Sequence, residues 1–274
     1  MKTLKLTLLC LFVGTIIRAN VSQTEKEALV ALYTATNGAQ WNTTWDLEQP
    51  VATWHGVTIK NDKVVGLNLH MNNLQGTLPQ EIGNLIYLQK INLGFNKLEG
   101  NLPIAFFNLK ELKSVKLFVN AFQGNIPTEI GSLTKLEVLE LFSNTFSGEI
   151  PSSIGNLKNL KTLVLGSNYL TGNIPTEISQ LKKLEVLSLI DNKLDGEIPS
   201  EIGSLLNLKE LVLASNGFTG DLPIALNNLM QLNTIMVSGN NLNKDMVSII
   251  DRKPADIQMK LHFVTETALA TEED

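Results

Sequence analysis

The chain is built on a repeat of 24 residues, and an asparagine marks every unit. These asparagines are Asn72, Asn96, Asn120, Asn144, Asn168, Asn192, Asn216 and Asn240. Glycines from Gly76 to Gly220, prolines from Pro79 to Pro223 and leucines from Leu88 to Leu232 keep the same step, without insertion. Four residue types held in one register indicate a repeat architecture, in which each unit packs mainly against its neighbours.

Inside one repeat, the leucines predict a short strand with one buried face. Leu163 and Leu165 alternate with polar or small residues, and this alternation is typical of a half-buried strand. Leu160 and Leu170 are predicted to bury the two ends of the segment. One such unit cannot cover its own apolar side, whereas stacked units can, and the repeat therefore predicts a solenoid.

The second half of each repeat predicts turns. Gly172 permits a backbone conformation or a close approach that other residues resist. Pro175 fixes φ and lacks an N–H, so it suits the start of a turn on the convex side. Ile178 and Leu181 follow at positions that we expect to point back into the core.

The repeating asparagine is predicted to form a ladder. Asn168 stands between apolar positions, where an unpaired amide costs about 1–3 kcal/mol. Its side chain carries both donor hydrogens and an acceptor oxygen. We therefore expect it to bond the backbone of its own turn and of the next coil.

The pattern LxxLxLxxNxLxGxIPxxIGxL covers residues 64–242 and resembles the plant-type leucine-rich repeat. The resemblance implies an α/β solenoid, a right-handed superhelix with a concave parallel β-sheet, short 3-10 and loop segments on the convex side, and a helical N-terminal cap. It also implies extracellular recognition of proteins, peptides or glycans, as in receptor-kinase ectodomains, polygalacturonase inhibitors and secreted bacterial repeat proteins. Plant members usually carry cysteine pairs in their caps, and this chain departs from them because Cys10 is its only cysteine.

The chain is predicted to comprise a signal peptide (1–19), an N-terminal cap of a helix plus a β-hairpin (20–63), eight repeats (64–242), and a C-terminal cap with an acidic tail (243–274). Lys2 and Lys5 precede an apolar stretch of 12 residues, Leu6 to Ile17. That length is typical of a signal peptide and is shorter than the roughly 18 residues of a transmembrane helix. Cleavage after Ala19 is the preferred reading. A lipoprotein signal at Cys10 and an uncleaved membrane anchor are the alternatives.

The N-terminal cap departs from the repeat and begins with helix signals. Ser22 or Thr24 is predicted to cap a helix, with Glu25 or Glu27 as the partner three residues later. Gly38 is predicted to end this helix.

Three tryptophans follow within fourteen residues, at Trp41, Trp45 and Trp54. We interpret them as a cover over the exposed end of the first coil, with a glycan-binding platform as the alternative. Next, two predicted strands are joined by a turn at Asn61 and Asp62. Beyond the last repeat, residues 245–252 predict a helix and residues 257–264 a closing strand.

The sequence carries no recognisable catalytic or metal-binding pattern. His55, His70 and His262 are far apart, and no metal-ligand spacing, phosphate-binding loop or nucleophile elbow occurs. The net charge of −5 gives a nucleic-acid partner no electrostatic support. We therefore expect no enzymatic activity, no cofactor, no nucleic-acid partner and no transmembrane span in the mature chain.

The candidate binding site lies on the predicted concave sheet. The residues that flank the two inward leucines of each coil should face this side, because side chains alternate along a strand. Aligning the coils places phenylalanines side by side, next to a lysine and a glutamate that should form a surface ion pair. The candidate ligand-binding residues are Asn92, Phe95, Lys116, Phe118, Val119, Glu140, Phe142 and Val164. An apolar centre with a polar edge is usual for a recognition patch, although aromatic residues here can also simply shield the sheet.

These observations predict a monomeric, secreted or cell-surface protein that recognises a protein, peptide or glycan on its concave face. The alternative is a structural, self-assembling envelope protein, and the mass measured by light scattering separates the two. Ice binding, a form of that alternative, requires a flat threonine array. The positions after the repeat glycines include Glu149, Glu197 and Asp221, which are too charged for such an array.

The exported protein is expected to begin at Asn20 or a few residues later and to contain no thiol, because cleavage there removes Cys10. The loss of Lys2, Lys5 and Arg18 would leave 19 basic and 27 acidic side chains. Intact-mass spectrometry of the exported protein measures this directly. A mass that still includes Met1 to Arg18 would overturn the signal-peptide assignment.

Overall fold

The computed structural model describes residues 21–243, and nine of the strands within them form the concave sheet. The first two strands are an antiparallel hairpin, and each later strand pairs in parallel with the strand of the next coil. The nine strands are Val57–Lys60, Lys63–Asn68, Lys90–Asn92, Ser114–Lys116, Val138–Glu140, Thr162–Val164, Val186–Ser188, Glu210–Val212 and Thr234–Met236. Equivalent residues of successive repeats stand opposite each other, as Leu163 does with Leu187. The predicted α/β solenoid is confirmed.

A second set of parallel strands, which the sequence analysis did not foresee, follows each asparagine. Six of them form one sheet: Gln75–Thr77, Lys97–Gly100, Ala121–Asn125, Thr145–Glu149, Tyr169–Gly172 and Lys193–Leu194. Two more, Thr219–Gly220 and Asn241–Leu242, pair with each other. Gly172 has a φ of +72°, in the left-handed region that glycine adopts most readily, and its predicted role is confirmed.

Short 3-10 helices occupy the convex side, as predicted. Two lie in the N-terminal cap, at Gly38–Gln40 and Val51–Thr53. The other seven begin directly after the repeat prolines: Gln80–Asn84, Ile104–Asn108, Thr128–Ser132, Ser152–Asn156, Thr176–Gln180, Ser200–Ser204 and Ile224–Asn228. The leucines of the strand and the two apolar residues after Pro175 are all buried, so each coil closes on its own share of one continuous core.

The asparagine ladder is present, with one correction to the prediction. Asn168 Nδ2 donates to the carbonyl oxygens of Leu165 (3.0 Å) and Gly166 (3.1 Å) in its own turn. It also donates to Leu141 O (3.1 Å), and its Oδ1 accepts the N–H of Phe146 (3.0 Å). The second coil in these bonds is therefore the preceding one and not the next one. The Asn168 side chain therefore points toward the coil that precedes it in the sequence.

Helix α1 (Gln23–Ala35) forms the N-terminal cap, with Ser22 as its N-cap residue. The backbone N–H of Glu25 donates to Ser22 Oγ (3.3 Å), and Ser22 Oγ donates to Glu25 Oε2 (2.7 Å). The capping pair is therefore Ser22 with Glu25. The buried Glu25 carboxylate also accepts the N–H of Val64 at 2.9 Å, which ties the helix to the hairpin.

The prediction that Gly38 ends this helix is wrong. Asn37 adopts the left-handed conformation after the helix, with a φ of +58°, and Gly38 starts a 3-10 helix. Asparagine tolerates that conformation because its short polar side chain can bond locally. A Cβ on Gly38 would lie 2.2 Å from the ring of Tyr33, so this glycine serves a close approach instead.

The three tryptophans are buried in the cap, which confirms the interpretation that they cover the first coil. Trp41, Trp45 and Trp54 are 5%, 3% and 3% exposed. Each indole N–H donates to a backbone carbonyl. The predicted turn of the hairpin is also confirmed, since Asn61 and Asp62 have φ values of +50° and +57°, as a tight two-residue turn requires.

The predicted signal peptide, the helix at 245–252 and the closing strand at 257–264 lie outside the described residues. Across residues 21–243, no helix combines the length and the apolar character that a membrane crossing requires.

Asn168→Leu should lower the free energy of unfolding by about 1–3 kcal/mol, because it leaves buried backbone groups of two coils unpaired. Asn240→Leu should cost less. Asn168 is 7% exposed, whereas Asn240 is half-buried in the last described coil, where water can reach the released groups. Urea unfolding measures both variants, and equal midpoints would count against a ladder that stabilises through its internal members.

Candidate functional site

The concave sheet holds one row of candidate residues in register. Asn92, Lys116, Glu140 and Val164 stand opposite one another in successive parallel strands. Such strands lie about 4.8 Å apart, so neighbouring residues of the row are within reach of each other. Lys116 Nζ donates to Glu140 Oε1 at 2.9 Å, and the predicted ion pair is confirmed.

Four aromatic rings gather beside this row. Phe118 and Phe142 are stacked, with centroids 4.7 Å apart and planes within 3°, as their side-by-side placement in the sequence predicted. Phe95 meets Phe118 edge to face at 5.6 Å. His70 is stacked on Phe95 at 5.3 Å and meets Phe118 edge to face at 5.8 Å. We call these four residues the aromatic cluster.

The aromatic cluster depends on the absence of a side chain at Gly94. His70 and Phe118 belong to coils two steps apart, about 10 Å along the stack, yet their ring centroids are only 5.8 Å apart. A Cβ on Gly94 would lie 2.7 Å from two ring atoms of Phe118. The Phe118 ring therefore leans over Gly94, in the coil between, to reach His70.

One column of the predicted concave face requires correction. The column that contains Phe95 and Val119 lies after the strands, and its residues have positive φ: Met71, Phe95, Val119, Ser143, Ser167, Asp191 and Ser215. Each of these left-handed residues directly precedes an asparagine of the ladder. A β-branched residue such as Val119 rarely adopts this conformation. Phe95 nevertheless swings its ring into the aromatic cluster, whereas Val119 has no ring to contribute and is half-buried.

His70 is the member of the aromatic cluster that was not among the candidate ligand-binding residues. It precedes Gly94 by 24 residues and Phe118 by 48, and this spacing was the available signal. It occupies the same concave column as Phe118, but the predicted site begins one coil later, with Asn92 and Phe95. In the described part of the chain, His70 Nδ1 is buried and has no hydrogen-bond partner, so the residue acts here mainly as an aromatic ring.

A second row, at the start of the strands, alternates in charge: Lys113, Glu137, Lys161, Glu185 and Lys209. Ion pairs join Lys161 to Glu137 at 2.8 Å and Lys209 to Glu185 at 2.6 Å. The hydrogen bond and the charge of Lys161 lower the pKa of Glu137, and Glu137 in turn raises the pKa of Lys161. Lys209 lowers the pKa of Glu185 in the same way. Exposed pairs of this kind contribute little to stability, but each pair is neutral, so the row of three lysines and two glutamates carries a net charge of only +1.

Exposed apolar surface distinguishes the aromatic end of the concave side. Phe95 is 48% exposed and Met71, one coil earlier, is 63% exposed. Other strongly exposed apolar residues, such as Ile104 and Ile224, lie on the convex 3-10 helices. Within residues 21–243, no group of three or more His, Cys, Asp or Glu side chains could hold a metal ion. What the site visibly provides is contact area, hydrogen-bonding groups and one ion pair.

Comparison with known families agrees with the repeat. A model of a leucine-rich repeat region matches residues 66–165, and a leucine-rich repeat model matches residues 159–181, 183–205 and 207–229. Together these matches cover more than half of the chain. A search of curated proteins found no match.

Solved structures share the fold and part of the sequence. The PEPR1–AtPEP1 structure is 33% identical, with a TM-score of 0.76 over 81% of this chain and 32% of that one. The Arabidopsis receptor kinase HAESA, in complex with the peptide hormone IDA and the co-receptor SERK1, is 40% identical (TM-score 0.63; 64% and 29% covered). A leucine-rich-repeat protein of Leptospira interrogans is 28% identical (TM-score 0.58; 70% and 53% covered). This chain thus spans about a third of the two receptor chains and about half of the bacterial one. It belongs to the leucine-rich-repeat family and carries the 24-residue repeat of the plant-type class.

Proposed function

We propose that this protein is a secreted or cell-surface binding protein without catalytic activity, which recognises a protein, peptide or glycan partner on its concave face. The observation that carries the proposal is the aromatic cluster, which is partly exposed at one end of a concave face that elsewhere carries mostly small, polar or aliphatic residues. Rings in such a setting supply most of the energy of many interfaces. The cluster adjoins the ion pair of Lys116 and Glu140, so the apolar centre has a polar edge.

The comparisons support a partner of this kind without specifying it. The HAESA structure is a complex with the peptide hormone IDA and the co-receptor SERK1, and the PEPR1 structure contains AtPEP1. Because this chain spans only about a third of those receptors, its own partner is a proposal that rests on the concave side chains. We further propose that the protein acts as a monomer outside the cell, in line with the sequence signals at its N-terminus.

The double variant Phe118→Ala and Phe142→Ala should reduce partner binding at least about tenfold, which corresponds to about 1.4 kcal/mol, because it removes the stacked pair at the centre of the site. The melting temperature should change little, since both rings are only half-buried. Partners are first selected from a displayed peptide library and a glycan array on the full chain, and affinities are then titrated.

Val212→Ala with Met236→Ala is the matched control for this variant, because it removes two concave side chains of adjacent coils at the far end of the sheet. If the rings merely shield the sheet, the two double variants should bind the selected partners with equal affinity. If the phenylalanine variant binds every selected partner as well as the control does, the site assignment is wrong.

Gly94→Ala should reshape the aromatic cluster without unfolding the chain. The new methyl group must push the ring of Phe118 away, and the contact with His70 is then lost. The His70 ring protons should shift in an NMR spectrum, because they lose the ring current of Phe118, and partner binding should weaken. Gly166→Ala is the control, since its methyl group would meet Ile190 at 2.6 Å but leaves the four rings in place. Unchanged His70 resonances in Gly94→Ala would contradict this account of the cluster.

A further inference from the structure

Two asparagines next to the aromatic cluster have side-chain N–H groups that bond no described residue, while each side-chain oxygen already accepts one backbone N–H. Asn92 Oδ1 accepts the N–H of Gly94 at 3.1 Å, and Asn68 Oδ1 accepts the N–H of His70 at 3.4 Å. In each bond, the side-chain oxygen of the asparagine accepts the N–H of the residue two positions later in the chain. Among the described residues, neither Nδ2 group has a hydrogen-bond partner. The two amides therefore offer N–H groups to whatever lies on the sheet.

The two donors stand side by side at the N-terminal end of the concave sheet. Asn68 pairs with Asn92 in adjacent parallel strands, so their side chains are about 4.8 Å apart. They line a shallow groove together with Thr58, Ser114, Lys90 and Lys116. Every one of these six side chains can donate a hydrogen bond, and none carries a negative charge.

The charges around this groove favour an anion, although the whole chain carries −5. Lys90 is exposed and forms no ion pair with any described residue, whereas Lys116 is paired with Glu140. Lys60 and Lys63 line the neighbouring depression. The carboxylate that lines that depression, Glu111, is paired with Lys135 at 2.7 Å, and Asp62 lies between Lys60 and Lys63 in the hairpin turn. Lys90 is therefore the lysine of the groove whose charge no ion pair with a described residue offsets.

The ring geometry favours a polypeptide over a glycan as the carrier of this anion. Sugars bind by laying a C–H face on an exposed ring face. Here the rings of Phe118 and Phe142 cover each other at 3°, and those of His70 and Phe95 cover each other at 14°. Stacking thus covers one face of each ring, which reduces the flat surface left for a sugar, whereas apolar peptide side chains can pack against ring edges as well as faces.

We propose that the groove of Asn68, Asn92 and Lys90 binds a carboxylate of a polypeptide partner whose apolar side chain contacts the aromatic cluster. This inference rests on the proposed function and adds the chemistry of the partner, an acidic group next to an apolar one. The amide N–H groups bond the carboxylate oxygens, and Lys90 supplies the opposite charge. The proposal assigns the carboxylate to an Asp or Glu side chain of the partner. The test must exclude the carboxylate of a free C-terminus.

The test uses a displayed library of random peptides, selected on the full chain. Selected peptides should be enriched in Asp or Glu close to an aromatic or aliphatic residue. Synthetic copies with amidated C-termini should bind as well as the free acids, and replacing their Asp or Glu by Asn or Gln should weaken binding at least about tenfold. Added salt should weaken wild-type binding, because the groove is exposed and its charges are screened.

Asn92→Asp is the most specific variant. Its carboxylate can still accept the N–H of Gly94, but the Nδ2 donor that would bond the partner's carboxylate is replaced by a negatively charged acceptor. It should weaken acidic peptides at least about tenfold, and Lys90→Gln should weaken them less. Ser188→Asp introduces the same charge in the same row, four coils further along, and should change binding less than about twofold.

Three outcomes would overturn the inference, and they differ from a failure of the proposed function. In the first outcome, the selected peptides show no acidic enrichment, bind Asn92→Asp normally and fail to bind the double phenylalanine variant. This result would refute the carboxylate site and leave the aromatic site intact. Binding that amidation abolishes would assign the anion to a chain terminus. An acidic glycan that binds where no peptide is selected would refute a polypeptide partner. Binders insensitive to both sets of variants would refute the proposed function itself.

Discussion

The side chain of each internal asparagine joins two coils of the backbone, and the rest of the solenoid depends on that bond set. Asn168 bonds carbonyl groups 2, 3 and 27 residues earlier and the N–H 22 residues earlier. The four groups lie in or near the turn between the two sheets, and the Asn168 side chain bonds all of them from one position. An amide is the side chain that both donates to carbonyls and accepts an N–H at one position. A shift of one residue in any coil would misplace these partners, so the ladder explains why the repeat has no insertions.

The ladder and the core leave only a few positions in each coil open to variation. The leucines, the asparagine, the glycine and the proline are fixed by burial, hydrogen bonds and backbone geometry. What remains on the concave side is the residue before the first strand leucine, the one between the leucines and the one after them, together with the left-handed residue that follows. At the N-terminal coils these positions carry rings, amides and lysines. Toward the other end they are mostly small or aliphatic, as at Val164, Ser188 and Ala214. The difference between the two ends is therefore not demanded by the fold.

Much of this structure follows from the sequence because it is governed by short-range periodicity. The strand leucines, the turn after Pro175 and the stacked pair of Phe118 and Phe142 all follow from counting in steps of 24. The second sheet does not, because its strands pair through backbone groups and carry mixed side chains. The left-handed turn at Phe95 and Val119 is hidden for a similar reason. The ladder imposes that conformation from outside, against the preference of valine.

Other features of the site depend on atoms that a residue pattern does not specify. The direction of the ladder, toward the preceding coil, is set by the tilt of the turn. The role of His70 depends on the space above Gly94, which is a property of three coils together. The side-chain oxygens of Asn68 and Asn92 bond the backbone two residues ahead, and these bonds orient both N–H groups. A sequence shows that an asparagine can donate and accept, but not which of its atoms the local backbone already engages.

The ordering of these side chains bears directly on the proposed binding. Association costs free energy for every side chain that must be immobilised. The rings of the aromatic cluster already rest against one another, and the two amides are already oriented by the backbone. Lys116 is held by Glu140, whereas Lys90 keeps its charge unpaired on the same face. A partner that matches this arrangement would therefore bind with a smaller entropic cost of ordering these side chains. Specificity then comes from the spacing between the rings and the donors, which the ladder fixes coil by coil.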